Sequence, residues 1–196
     1  MEKVIARVKS ILLSPKEALT EVKTEDLSIA GTMKEYVAIV AAVPAVGQFI
    51  GYALVGLPFI GRQNIGRTLV YSILTYVLSL IAVLIVGKII NALAPSFNAV
   101  KNDRNAFKLT VYSFTPVFVA GAFNIIPSLS ILAFLGSLYG IYILYLGIPV
   151  LMEAPQEKSV VYTVVTLIIG LIVMVVIGSV AGAVAWSGGG GPARYF

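Results

Sequence analysis

Residues 109–152 read LTVYSFTPVFVAGAFNIIPSLSILAFLGSLYGIYILYLGIPVLM, 44 positions without an Asp, Glu, Lys or Arg. As one α-helix this stretch would be about 66 Å long at 1.5 Å per residue. A bilayer's hydrocarbon core is about 30 Å thick and is crossed by roughly 20 apolar residues, so the stretch crosses twice. Pro127-Ser128, near its middle, is the expected hinge, because a proline removes a helix donor and clashes with the preceding turn. The chain is therefore read as a membrane protein built around a tight helical hairpin.

Three further runs extend the pattern. Five spans are expected, at about Tyr36–Phe59, Thr68–Ala94, Leu109–Ile126, Ser128–Met152 and Ser159–Trp186, with Lys88 near the end of the second. The fold class is an all-α polytopic bundle of five transmembrane helices, since such long apolar runs do not suit the short alternating strands of a barrel. Composition agrees: 59% of the 196 residues are hydrophobic and 12% charged, against about a quarter charged in soluble domains. The mean hydropathy is +0.97.

Lys and Arg counts near the span ends set the expected orientation. Lys16, Lys23, Lys34, Lys88, Lys101, Arg104, Lys108 and Lys158 fall on the side of the N-terminus, and only Arg62, Arg67 and Arg194 on the other. This predicts a cytoplasmic N-terminus and an outer C-terminus. Three parts are expected: a cytoplasmic amphipathic helical segment over 1–35, the membrane domain over 36–186, and a flexible outer tail over 187–196. No cleavable signal peptide is expected, the first span serving as anchor.

Within the first segment Val4, Ile5, Val8, Ile11 and Leu12 share one helical arc. Lys3, Arg7 and Lys9 flank it and are placed as membrane-surface residues. The pattern suits a helix lying among anionic lipid headgroups, or equally one that packs on the cytoplasmic face of the bundle. Ser14-Pro15-Lys16-Glu17 reads as a second helix start with a capping box. The net charge of +5 is assigned to anionic lipid, and no nucleic-acid partner is expected.

No cysteine or histidine occurs, which excludes disulfides and thiol or imidazole catalysis. All nine acids lie outside the interiors of the spans, so a carboxylate proton relay is not expected. The chain is read as a non-enzyme, without cofactor or metal. The remaining interior polar candidates are Gln48, Tyr112, Thr115, Tyr139 and Tyr142. Gln48 and Tyr139 fall near mid-span, where an unpartnered amide or phenol is costly, and are expected to pair. These groups either line a ligand site or make interhelical hydrogen bonds. Gly47/Gly51, Gly136/Gly140 and Gly178/Gly182 have the small-xxx-small spacing of close helix packing. The last pair is the preferred face should the chain associate with a second copy or another membrane protein.

The segments Tyr112-Ser113-Phe114-Thr115-Pro116, Ile126-Pro127-Ser128-Leu129 and Leu144-Tyr145-Leu146-Gly147-Ile148-Pro149-Val150-Leu151-Met152, followed by Pro155, Lys158 and Tyr162, resemble the Yip (Ypt-interacting protein) family. Ile11-Leu12-Leu13-Ser14-Pro15 resembles its prokaryotic branch. The resemblance implies a five-span membrane protein with a cytoplasmic N-terminus, here in a prokaryotic plasma membrane. Pro116, Pro127, Gly147, Pro149, Met152, Pro155 and Lys158 are its family-pattern positions. Eukaryotic members have long cytosolic N-terminal regions and bind prenylated Rab-type GTPases, whereas only residues 1–35 precede the first span here. What is implied for this chain is membrane organisation or an adaptor role without assigned chemistry. The alternative is a transporter, channel or lipid-handling protein with a polar cavity in the bundle or in an oligomer of it.

Overall fold

The computed structural model describes residues 1–187; the remainder of the expected glycine-rich tail, 188–196, lies outside the described residues. Two short helices, α1 (Glu2–Leu13) and α2 (Pro15–Thr24), precede five long ones. The long helices are α3 (Ile29–Val55), α4 (Ile65–Leu93), α5 (Asp103–Ala120), α6 (Ser130–Leu151) and α7 (Gln156–Trp186). Each belongs to a helical stretch long and apolar enough to cross a membrane, and the protein is an all-α polytopic bundle.

The boundaries differ from the sequence expectation mainly at helix starts. α3 begins at Ile29, ahead of the charged Lys34 and Glu35, because a helix can continue past the bilayer edge with its charges in water. It ends at Val55, where Gly56 (φ +102°) enters a left-handed turn closed by a bridge between Leu57 and Gly61 (φ +80°). Asn64 and Asn102 cap α4 and α5, accepting from the backbone N–H of Arg67 and Asn105, each at 3.1 Å. Pro127 does make the hinge: 3-10 turns Gly121–Ile125 and Pro127–Leu129 reverse the chain between α5 and α6.

α5 is the axis of the bundle. Its span has the lowest hydropathy of the five (1.3) and the highest buried share (67%), whereas α7 has the highest hydropathy (3.0) and the lowest buried share (17%). In lipid the polar helix belongs inside, where its hydroxyls find partners, and the apolar one faces the acyl chains. Glycines set the closest crossings. A Cβ on Gly140 would stand 2.6 Å from the Ser113 carbonyl, and one on Gly51 only 2.0 Å from that of Asn124. Gly47 and Gly136 make similar approaches to Gly121 and Pro116. Two of the three small-xxx-small pairs thus serve packing within the bundle. Around Gly178 and Gly182 a Cβ would meet nothing within 4 Å.

The N-terminal segment forms an upright hairpin. α2 packs along α6 with Ala18, Leu19 and Val22 buried, and α1 returns against α2 and α5 with Ile11 buried and Val4 and Val8 partly so. The amphipathic arc packs on the bundle, and Ile5, half exposed, lies outside the buried stripe. The expected capping box is not formed: helix α2 does start at Pro15, but the Ser14 side chain makes no cap bond. Pro15, whose fixed φ suits the first helical turn, is the part of the signal that operates.

Candidate functional site

The hairpin is tied to the bundle by a buried cation. Lys108, one residue before the uncharged stretch and only 3% exposed, donates from Nζ to the carbonyls of Val22 (2.6 Å), Glu25 (2.6 Å) and Lys23 (3.4 Å). These oxygens end α2, where helical carbonyls lack intrahelical partners and the macrodipole favours a cation. The ammonium has three N–H donors and meets three acceptors, so its burial is compensated. Around it, Arg7 donates to Glu25 at 2.5 Å and approaches Glu21 at 3.9 Å. Lys23 pairs with Glu153 at 2.8 Å, and Arg104 pairs with Asp26. Burial disfavours the Arg7 charge, but the bond from Glu25 and its neighbours outweigh this and hold the guanidinium above its ordinary pKa. At the tip the Tyr139 hydroxyl donates to the Leu12 carbonyl at 2.8 Å.

The tip's level along α6 follows from the packing. Gly87, beside Lys88, lies against Phe107, and Gly147 lies against Leu109 and Leu19, so Leu19 stands near the level of Lys88. Ser14 precedes Leu19 by five residues, about 8 Å along the axis at the helical rise, which brings the tip level with Tyr139 of α6. Leu13 at this tip is 80% exposed, and Lys16 on the first turn of α2 is also exposed, with a side chain long enough to reach back to headgroups.

Beside α1 lies a vestibule of about 350 Å³ lined by Lys3, Arg7, Asp26, Glu35, Tyr36 and Tyr112 among others. Its floor is ordered. Tyr36 and Thr115 share a hydrogen bond of 2.9 Å, the Tyr36 and Tyr112 rings meet edge-on at 5.8 Å, and the Arg7 guanidinium lies 6.0 Å from the Tyr112 ring centroid. A second cavity, of about 370 Å³, lies within the membrane domain between residues of all five spans, Gln48, Thr75, Asn124, Ser137 and Gly178 among them.

The expected interior residues are thus divided. Tyr112 lines the vestibule and Thr115 is bonded to Tyr36 of the same lining, while Gln48 lines the inner cavity. Tyr142 is half exposed, stacked at a tilt on Tyr139 with centroids 5.7 Å apart. The expected Gln48–Tyr139 pair is not formed: Thr75 Oγ1 approaches the Gln48 oxygen at 3.4 Å, and Tyr139 is turned to Leu12. Equal depth on two helices does not fix which faces meet. Lys3 lines the vestibule and Lys9 is exposed. Of the family-pattern residues, Pro116 offers its carbonyl side to Gly136, Gly147 receives Leu109, and Pro149 lies in the last turn of α6. The Met152 carbonyl accepts from Val100 at 2.7 Å, and the Pro155 carbonyl accepts from Lys158 at 3.0 Å and from Ser159 Oγ at 3.0 Å. Glu153, which follows Met152, is engaged by Lys23. The role of Lys108 was missed: its partners are 83 to 86 residues away, and the only sequence signal was a cation at the edge of an uncharged run.

The Yip1 domain profile matches residues 9–177. The chain belongs to the Yip1 domain family. The match begins in α1, so the docked hairpin is largely inside the family domain, together with all but the last part of α7. Two similar proteins are the inner membrane protein YohC of Escherichia coli K12 and its counterpart in the O6:H1 strain CFT073. Each is 24% identical over 170 residues, covering 83% of this chain and 87% of that protein. No solved structure matches the chain.

Proposed function

We propose that this Yip1-family chain is a non-catalytic membrane-organising protein, seated in a prokaryotic plasma membrane with its N-terminal hairpin on the cytoplasmic side. The printed name of the YohC relatives supports that membrane, and the excess of Lys and Arg on the hairpin side supports that orientation. The carrying observation is the one-sided hairpin: α1 and α2 widen the bundle at one face only and end partway down α6, at Tyr139. A helix with its side chains is about 10 Å across, so the cytoplasmic leaflet must accommodate a wider protein section than the outer one. Lys3, Lys9 and Lys16, which make no ion pair among the described residues, supply the contact to anionic headgroups, each worth about 1 kcal/mol near a charged surface.

The reading is tested by reconstituting the full chain in giant vesicles containing anionic lipid and pulling nanotubes from them. With the hairpin in the outer monolayer, enrichment on the tube relative to the flat membrane is expected. Replacing Lys3, Lys9 and Lys16 by glutamine should weaken the enrichment without unfolding the bundle. Equal density on tube and vesicle would overturn the reading.

A further inference from the structure

The inner cavity is chemically unlike the vestibule. Its lining carries no Asp, Glu, Lys or Arg, yet it is not plainly apolar. Thr75 approaches the Gln48 oxygen at 3.4 Å, and the amide N–H groups of Gln48 have no protein acceptor among the described residues. Asn124 and Tyr71 also line this space, and their side chains make no hydrogen bond among the described residues. The rest of the wall is hydrocarbon, including Pro44, Phe118, Phe134, Met174 and Ile177. Amide donors left unpaired at membrane depth cost several kcal/mol each in a hydrocarbon medium, so an occupant with an acceptor oxygen is favoured. A volume of about 370 Å³ falls within the roughly 300–1,000 Å³ of small-ligand sites.

Access is lateral. Gly178 of α7 lines the cavity, and an added Cβ there meets nothing within 4 Å. α7 is packed mainly on α4 and is the least buried span. Phe134 and Ser137 of α6 and Met174 and Gly178 of α7 line the cavity from the two sides of the seam between these helices.

We propose that this cavity binds a neutral carbonyl-bearing lipid, its carbonyl oxygen accepting from Gln48 and its hydrocarbon tail leaving between α6 and α7. A charged headgroup is not accommodated, because no lining side chain neutralises it. The carbonyl could be a glycerolipid ester or an isoprenoid quinone, and the test separates the two.

The full chain in nanodiscs is irradiated with a photoactivatable diacylglycerol in one arm and a photoactivatable quinone in the other, and labelled peptides are mapped. Label on the segments containing Gln48 or Met174–Gly178 is expected in at least one arm, and that arm identifies the source. Gly178→Phe fills the space without a clash at Cβ and should abolish this label while thermal stability is kept. Gln48→Leu should weaken it about fivefold, the equivalent of one net hydrogen bond, and serves as the deciding variant should Gly178→Phe unfold. Label confined to the lipid-facing residues of α7, such as Leu171 and Val175, or label unchanged in the folded variants, would overturn the proposal.

Discussion

Lys108 shows how a cation at the edge of a membrane helix can be structural. Its ammonium replaces water at three carbonyls that end α2. Lys108→Met keeps an unbranched apolar stem and removes the donors, leaving those carbonyls without their partner. A loss of about 1–3 kcal/mol is expected, read as a lower thermal midpoint in detergent and faster amide exchange in α2 than in α5. The glycines give a contrasting pair. Gly51→Val forces a Cβ to within 2.0 Å of the Asn124 carbonyl and should destabilise by at least about 1–3 kcal/mol, the usual cost of overpacking. Gly182→Ala, with open space around it, should stay within about 0.5 kcal/mol of the parent. The sequence showed that these glycines permit close approach, since the spacing is visible. It could not show which pairs are used, because that depends on the rotation of each helix about its own axis. The same ambiguity explains Gln48 and Tyr139, which lie on faces that do not meet.

Among elements, the five spans were legible because lipid enforces long uncharged runs, and the hinge was legible because Pro127 interrupts the longest of them. Their starts were less so: α3 and α7 begin among charged residues, where helix continues into water and the absence of charge no longer marks it. The hairpin α1–α2 was visible as two amphipathic helices, but its docking was not. An arc such as Val4, Val8 and Ile11 buries equally well in a headgroup layer or against the bundle, and only the partner surface decides. Leu19→Asp tests the docking at this scale. Leu19 is fully buried, and an unpaired carboxylate there is strongly unfavourable. Amide-exchange protection should fall throughout α1 and α2 while the cores of α4 and α5 stay protected; simultaneous loss in all helices would mean the hairpin is not a separable unit.

The whole molecule combines a polar central helix, an apolar outer helix and a hairpin confined to one face. This arrangement makes the protein broader at the N-terminal side, and the membrane-organising proposal depends on where that breadth lies relative to the lipid. The chain contains no cysteine, so single cysteines can be introduced at Leu13 and Lys9 and labelled with nitroxides. Paramagnetic accessibility of the two positions in anionic bilayers is the most direct measurement. The account predicts that the label at 13 lies within the acyl-chain region, more accessible to oxygen than to a water-soluble relaxant, and the label at 9 nearer the headgroups. A label at 13 as accessible to the water-soluble relaxant as one at 9 would place the hairpin clear of the membrane and contradict the wedge.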